Sequence, residues 1–288
     1  MERINLSSYA KINLYLKVLK KRSDGYHDIE TIYQAITLKD NIAIRLIKGN
    51  NDIEIYSNSR QIPTDATNLA YQAVLVLLDR LNIRCGVRID IDKNIPVSAG
   101  LGGGSSNAAS CILGLNKLLR LKLNKKEMLD LALSVGSDVP FFVSSYSSAV
   151  GRGRGQILKR LRNIPKFWFI LICPERKISS QEVYDSFKLN LTKKKPDVRI
   201  CIRALKRGDL TEVAEAIYND LESVVEDKVR QIHEIKSVLK DEGIKAILTS
   251  GSGPCVFGIL QSREEAMQIK ESIRKRQKNW AIYVCCSR

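Results

Sequence analysis

A glycine-rich run is the part of the chain whose residue types are best suited to chemistry. Four glycines and three serines fall within Pro96–Ser106, and an apolar periodic run, Cys111–Leu119, follows. Glycines let backbone N–H groups approach a ligand closely, and a helix opening behind them adds unpaired donors and a positive dipole end. Because such donors bind anions, we expect the run to cradle a polyphosphate. A linker or ligand-free turn is the alternative, although the run joins an alternating strand, Val87–Ile91, directly to a helix.

The run differs from the common phosphate-binding loops. No Gly-Lys-Ser/Thr follows it, and Ser105 stands where a dinucleotide fingerprint needs its last glycine. The chain also lacks the His-Arg-Asp and Asp-Phe-Gly signatures of protein kinases. What remains, Pro-x-x-x-Gly-Leu-Gly-Gly-Gly-Ser-Ser-Asn-Ala-Ala, closely resembles the second motif of the GHMP kinase superfamily of small-molecule kinases. The resemblance implies that the run binds ATP and that Mg²⁺ accompanies the nucleotide.

The first strand and the turn after it carry further polar residues. Residues 3–18 alternate as a strand does, so Lys11 and Asn13, two positions apart, share one face. By pattern alone an exposed sheet edge is the simpler interpretation, and a shared pocket is the alternative. An Asp-Gly turn then leads to Tyr26 and His27 and into a second strand, Ile29–Thr37. A polar-aromatic pair on a loop is often only surface decoration.

Ala10–Asn13 followed by Asp24–His27 is similar to the start of one branch of that superfamily. This branch phosphorylates the 2-hydroxyl of 4-diphosphocytidyl-2-C-methyl-D-erythritol in the non-mevalonate route to isoprenoids. The resemblance implies that Tyr26 stacks on the cytosine and that Asn13 and His27 address the substrate. These roles agree with what a pyrimidine held out of water needs, an aromatic face and a hydrogen-bonding partner.

Other positions have both a structural and a functional interpretation. Asp138 lies between a Gly-Ser turn and Val-Pro-Phe-Phe, where an aspartate usually caps, and we predict a strand after it. The resemblance instead makes Asp138 the catalytic aspartate, paired with Lys11. Asn68 is placed to cap a helix that begins at Leu69, whereas the resemblance puts both near the adenine. Tyr184 in a helix's first turns is either core or, by resemblance, the ring that closes the other side of the cytosine.

The remaining pattern predicts an α+β chain. Two alternating segments in 41–56, around Gly49–Asp52, indicate a hairpin. Gly151–Gly155 indicates a tight turn with two arginines, where relatives commonly carry acidic residues, so the resemblance assigns it no role. Ile247–Gly258, two strand-like stretches around a Gly-Ser-Gly-Pro turn, resembles the third superfamily motif, which packs against the active site. Predicted helices cover 69–81, 125–134, 200–207, 209–217, 229–242 and 263–274, predicted strands cover 87–91, 167–173 and 281–286, and 191–200 reads as a surface loop.

The resemblance implies a two-domain GHMP kinase fold. Its N-terminal domain, residues 1–157, is similar to a domain of a ribosomal protein, and its C-terminal domain, residues 158–288, is a ferredoxin-like α/β sandwich. With 288 residues, 44% of them hydrophobic, the chain is long enough for two modest domains.

Composition limits the partners. The net charge of +16 raises the possibility of nucleic acid, but the basic residues are scattered and aromatic residues make up only 6%, so no nucleic-acid partner is expected. Seven cysteines without a Cys-x-x-Cys pair favour neither a disulfide framework nor a zinc site. No stretch has the length of a membrane span, and a cytoplasmic protein is expected, as a monomer or a homodimer.

The predicted site comprises acid-base, ATP-binding and substrate-binding residues, with ATP, Mg²⁺ and a cytidine-diphosphate polyol as ligands and no dedicated protein ligands for a metal. The acid-base pair is Lys11 and Asp138; the ATP-binding residues are Asn68, Leu69, Pro96, Val97, Ser98, Ala99, Gly100, Leu101, Gly102, Gly103, Gly104, Ser105 and Ser106; the substrate-binding residues are Asn13, Tyr26, His27 and Tyr184. Three alternatives stay open: a GHMP kinase for homoserine or mevalonate, an RNA-binding protein on the same fold, and an inactive ATP-binding regulator, against which the presence of both Lys11 and Asp138 argues.

Overall fold

The computed structural model describes residues 3–189, 196–277 and 279–288. Its strands are β1 Arg3–Lys21, β2 His27–Ile47, β3 Ile53–Ser57, β4 Gly86–Asp92, β5 Ser148–Gly153, β6 Ile157–Arg160, β7 Trp168–Cys173, β8 Tyr218–Asn219, β9 Ile247–Thr249, β10 Val256–Leu260 and β11 Ala281–Cys286. Its helices are α1 Leu69–Arg80, α2 Gly103–Leu118, α3 Lys125–Val135, α4 Val139–Val143, α5 Ser180–Ser186, α6 Val198–Arg207, α7 Leu210–Ala216, α8 Glu222–Lys228, α9 Gln231–Asp241 and α10 Arg263–Arg276. The predicted α+β class is confirmed.

The chain divides into two compact units. Unit one contains Met1–Ala10, Lys39–Val97 and Gly102–Tyr146, and unit two contains Lys11–Leu38, Ser98–Leu101 and Ser147–Arg288. The first two strands and the glycine-rich run therefore contribute residues to both units. This grouping by contact differs from a division of the chain at residue 157, and that predicted domain boundary stays a prediction.

Unit one is a sheet covered by helices. In it β4 lies between β2, to which it runs antiparallel, and β3, to which it runs parallel. Alternation places Ile44 of β2 and Ile89 of β4 on the buried side, where they belong to one apolar core with Leu77 of α1 and Ile112 of α2. This core supports the start of α2, which is the glycine-rich end of that helix.

Unit two is built on an antiparallel sheet in the order β11–β7–β10–β9. Ile170 and Ile172 of β7 share a core with Ile235 of α9 and Ile273 of α10, since the apolar sides of these amphipathic helices cover one face of the sheet. The turn predicted at Gly151–Gly155 joins β5 and β6, which pair as a hairpin.

Two local predictions are wrong. Residues 41–56 do not form a hairpin, because β4 comes between β2 and β3 and pairs with both. The segment after Asp138 is the short helix α4 and not a strand, with Pro140 in its first turn, where a missing N–H costs no hydrogen bond. Residues 190–195 of the loop predicted at 191–200 lie outside the described residues.

The cysteines also differ from expectation. Cys173, at the end of β7, and Cys255, just before β10, form a disulfide, because the antiparallel register that sets Ile172 opposite Val256 brings the two cysteines side by side. The other five cysteines are free. No helix within the described ranges has the length and apolar character required to cross a membrane.

Candidate active site

The start of α2 contains the predicted ATP-binding residues Gly103, Gly104, Ser105 and Ser106 of unit one. The helix begins earlier than the apolar pattern indicates, so Gly103, Gly104, Ser105 and Ser106 form its first turn. Its N-cap, Gly102, has a left-handed backbone with φ of 69°, and no side chain caps the helix. Ser106 N donates to the Gly102 carbonyl at 2.9 Å, which leaves the N–H groups of Gly103, Gly104 and Ser105 to bind an anion at the positive end of the helix dipole.

A buried carboxylate holds both sides of the glycine-rich run. Asp40 is 0% exposed, and one of its oxygens accepts from the backbone N–H groups of Asn94 and Ile95 at 2.7 and 2.8 Å. Its other oxygen accepts from Lys93 Nζ and Asn107 Nδ2, each at 2.9 Å. Because residues 93–95 precede the run and Asn107 follows it, this single side chain fixes the run at both ends.

The same buried region distinguishes the two serines of the motif. Ser106 is buried and its hydroxyl accepts from Ser8 Oγ at 2.8 Å, while Ser8 Oγ in turn accepts from Asn107 Nδ2 at 2.9 Å. Ser105 is only half-buried, in the same helical turn. Ser106 therefore anchors the helix, whereas Ser105 is more exposed, and its predicted contact with phosphate stays a prediction.

Asn68, Leu69 and Asp138 also lie in unit one. Asn68 accepts from Ala70 N at 2.8 Å and donates to the Pro63 carbonyl at 2.6 Å, so it is the helix cap that its sequence position predicts. The Leu69 side chain lies beside Gly104. Asp138 occupies the N-cap position of α4, but its side chain does not cap that helix. Capping therefore does not account for Asp138, and its catalytic role stays a prediction.

Lys11 and Asn13 lie together in unit two. They do share one face of β1, as predicted, and they are buried at 5% and 1% exposure, so an exposed sheet edge is excluded. Lys11 Nζ donates to Asn13 Oδ1 at 2.7 Å and to the Gly100 carbonyl at 3.0 Å. Asn13 Nδ2 donates to Thr31 Oγ1 at 2.8 Å. These bonds hold the Lys11 ammonium against the glycine-rich run.

The turn between β9 and β10 packs on the same residues. Ser250 Oγ donates to the Gly100 carbonyl at 3.0 Å, and Cys255 N donates to the Ala99 carbonyl at 3.3 Å. Gly100 has φ of 74°, and a Cβ there would lie 2.0 Å from the Ser250 carbonyl oxygen, so only glycine fits. Asn219 Nδ2 holds the turn by donating to two of its carbonyls at 2.9 and 2.7 Å. The third motif therefore packs against the second, as the resemblance implies.

The predicted pyrimidine-binding residues are on the surface of unit two. Tyr26 is 51% exposed, and the Arg154 guanidinium lies over its ring at 4.3 Å from the centroid. The rings of His27 and Tyr184 stack, with centroids 5.3 Å apart. Burial and the nearby charge of Lys21 lower the pKa of His27, so the imidazole is neutral near pH 7. A neutral imidazole has one donor and one acceptor to offer a base edge.

The predicted site residues thus form two groups. Unit one holds Asn68, Leu69, Pro96, Val97, Gly102, Gly103, Gly104, Ser105, Ser106 and Asp138, and unit two holds Lys11, Asn13, Tyr26, His27, Ser98, Ala99, Gly100, Leu101 and Tyr184. Sequence reasoning missed Asp40, which lies within β2, and Lys93, which follows β4, because neither residue belongs to a recognisable motif. Asn107 belongs to the glycine-rich motif, but the sequence alone indicates no role for it.

Comparisons with known proteins identify the family of the chain. The sequence matches the GHMP kinases N-terminal domain over residues 68–146 and the GHMP kinases C-terminal domain over residues 201–279. The chain is 41% identical over 285 residues to 4-diphosphocytidyl-2-C-methyl-D-erythritol kinase of Clostridioides difficile, covering 99% of this chain and 95% of the relative. It is 42% identical over 275 residues to the protein of the same name from Syntrophomonas wolfei, covering 95% of each.

Solved structures are similar to this chain as well. A crystal structure of 4-(cytidine 5'-diphospho)-2C-methyl-D-erythritol kinase superposes with a TM-score of 0.82 at 29% identity, over 98% of both chains. Homoserine kinase from Cytophaga hutchinsonii superposes at 0.75 with 19% identity, covering 100% of this chain and 95% of that one, a likeness of fold alone. From the match along nearly its whole length, the chain belongs to the 4-diphosphocytidyl-2-C-methyl-D-erythritol kinase family of the GHMP kinases.

Proposed function

We propose that this protein is an ATP-dependent kinase that transfers the γ-phosphoryl group of ATP to the 2-hydroxyl of 4-diphosphocytidyl-2-C-methyl-D-erythritol. The observation that carries the proposal is the identity of 41% over 99% of the chain to a relative named for this activity. The uncapped helix start with its exposed glycine, Gly104, and the buried lysine beside Gly100 are what a phosphoryl-transfer site needs.

Phosphoryl transfer depends mainly on alignment and on neutralising charge. The first-turn N–H groups of α2 and the Ser105 hydroxyl would hold phosphate oxygens. The ammonium of Lys11 is held in position, because it donates hydrogen bonds to Asn13 Oδ1 and to the Gly100 carbonyl. A preorganised cation of this kind offsets negative charge that gathers on the transferred group, without reorganisation during the reaction.

Asp138 would accept the proton of the attacking hydroxyl. Its carboxylate does not satisfy the helix that follows it, which distinguishes it from Asn68, Asn124 and Ser179, whose side chains all cap helices. A carboxylate suits a general base when it lies within hydrogen-bond reach of the attacking hydroxyl, and that is the role we assign to Asp138.

Mg²⁺ fits the proposed site as a companion of ATP. Among the described residues, no three or more His, Cys, Asp or Glu side chains come together as ligands, and the serines of the run are oxygen donors of the kind that the ion accepts. Ser105 would be the hydroxyl that contacts the ion. Bound with ATP, the ion would supply neutralisation of charge on the phosphates.

A coupled ADP-release assay on a cytidine-diphosphate polyol, homoserine and mevalonate tests the proposal. We expect turnover with the first substrate only, lost in Lys11→Met and retained in Lys20→Met, a matched change of an exposed lysine on the same strand. Turnover with homoserine or mevalonate instead would reject the substrate. Absence of ATP turnover together with salt-sensitive RNA binding that Lys11→Met leaves unchanged would support the RNA-binding alternative.

A further inference from the structure

The hairpin of β5 and β6 presents two arginines in different surroundings, Arg152 near the end of β5 and Arg154 in the turn that follows. Arg152 forms an ion pair with Glu30 at 2.9 Å, and its side chain is 64% exposed. The guanidinium of Arg154 lies over Tyr26, with its central carbon 4.3 Å from the ring centroid. Within residues 3–189, 196–277 and 279–288, no carboxylate forms a salt bridge with Arg154.

The turn that carries Arg154 is fixed in place. Gly155 has φ of 104°, and a Cβ there would lie 2.1 Å from Tyr33 Oη, so the backbone packs directly on this buried tyrosine. Arg154 N donates to Gln156 Oε1 at 2.7 Å, which closes the turn. The ring of Tyr33 is also 5.8 Å from Lys11 Nζ. The residue after Arg154 therefore packs on the same tyrosine that lies beside the buried Lys11.

The acidic groups near Tyr26 are already engaged. Asp24 and Asp28 both form ion pairs with Arg22, at 3.0 and 2.8 Å. The pKa of Asp24 is lowered mainly by its hydrogen bond from Arg22, and the charge of Arg154 adds a smaller contribution. In the described part of the chain, no side-chain or backbone oxygen accepts from the Arg154 guanidinium, which therefore lies as a planar cation with unused donors on a half-exposed aromatic ring.

Such a pair fits a ligand that has both a planar base and anionic oxygens. We propose that Arg154 is a substrate-specificity residue, which donates hydrogen bonds to the diphosphate of the cytidine-diphosphate substrate while it supports the Tyr26 ring beneath the base. This inference rests on the proposed function. A guanidinium is suited to the role, because its rigid fork of donors matches phosphate oxygens and its face stacks on an aromatic ring.

Binding of CDP and of cytidine to the full-length protein, measured by calorimetry, tests the role of Arg154 separately from turnover. Arg154→Met should weaken CDP binding on the order of tenfold or more, the usual loss for one charge-assisted hydrogen bond, and cytidine binding by a smaller factor. Arg152→Met removes the same charge from the same turn and is the matched control, for which we expect affinities within about twofold of the parent. Arg154→Lys keeps the charge without the fork and should lie between parent and Arg154→Met.

Steady-state kinetics completes the test. We expect Arg154→Met to raise KM for the cytidine-diphosphate substrate and leave both kcat and KM for ATP near the parent values. Equal losses of CDP affinity in Arg152→Met and Arg154→Met would show that only the net charge of the hairpin matters, and would overturn the proposal. CDP affinity near the parent value in Arg154→Met would overturn it as well. If Arg154→Met loses thermal stability, parent-like affinity in Arg154→Lys overturns it. Failure of the parent protein to bind CDP would instead reject the proposed function.

Discussion

Replacing Asp40 by asparagine tests whether one buried carboxylate holds the glycine-rich run. The substitution preserves shape, and an amide oxygen can still accept from Asn94 N and Ile95 N. The amide nitrogen, however, then faces two other donors, Lys93 Nζ and Asn107 Nδ2. Asp40→Asn consequently leaves a buried ammonium without its counter-charge.

The expected cost follows from burial. The side chains of Lys93 and Asp40 are 5% and 0% exposed, and breaking a buried pair by removing one partner costs about 3–5 kcal/mol. For a protein of this size, that loss lowers the midpoint of thermal unfolding by about 6–20 °C. Asp130→Asn, which changes an exposed carboxylate on α3 of the same unit, should change the free energy of unfolding by less than about 0.5 kcal/mol.

The double variant Lys93→Met, Asp40→Asn sharpens the test. Burial lowers the pKa of Lys93 although the charge of Asp40 opposes that shift, so desolvation of the ammonium outweighs the attraction between the two groups. Removing both charges should therefore be less costly than removing Asp40 alone, by about 1–3 kcal/mol.

Denaturant unfolding of the parent, both single variants and the double variant measures this coupling, and ATP titration below each unfolding midpoint measures the site. We expect Asp40→Asn to weaken ATP binding, because both ends of the run lose their anchor. The reasoning would be refuted if Asp40→Asn lowered the free energy of unfolding by less than about 1 kcal/mol. It would also be refuted if the effects of the two single substitutions simply added up in the double variant.

Three further predictions concern single residues. Asp138→Asn should lower kcat by about 10² to 10⁴ with nearly unchanged substrate affinity, and a loss under about tenfold in single-turnover rates would leave only a positioning role. Gly100→Ala should cost about 2–5 kcal/mol in unfolding free energy, since it combines a left-handed backbone with a clash against Ser250; a change under about 1 kcal/mol would contradict that packing. The pKa of His27 is lowered by burial and by Lys21, so the folded state binds fewer protons there than the unfolded chain, and stability falls as pH drops through the ordinary value of 6.5. In the parent protein, kcat/KM should fall as the pH drops below 6.5, because His27 becomes protonated. His27→Gln should lack this fall, and pH profiles of kcat/KM for the parent and the variant would show the difference.

Much of the fold follows from local pattern. The α1 boundary is fixed by Asn68, whose side chain caps the backbone two residues on, and such short-range bonds depend on sequence neighbours only. The shared face of Lys11 and Asn13 follows from the period of a strand. Where local signals compete, the pattern misleads: Val-Pro-Phe-Phe is apolar enough for a strand, but one helical turn buries it equally well.

The sequence by itself determined the motif, the family and the residue types that the chemistry needs, because glycines, a strand period and helix caps act over a few neighbouring residues. Only the tertiary structure decided which serine is anchored, that Cys173 meets Cys255, that Asp40 ties both ends of the run, and that Arg154 rather than Arg152 lies on Tyr26. Each of these contacts joins residues that are far apart in the sequence and that strand register or helix packing brings together. Its energy therefore cannot be predicted from neighbouring residues alone.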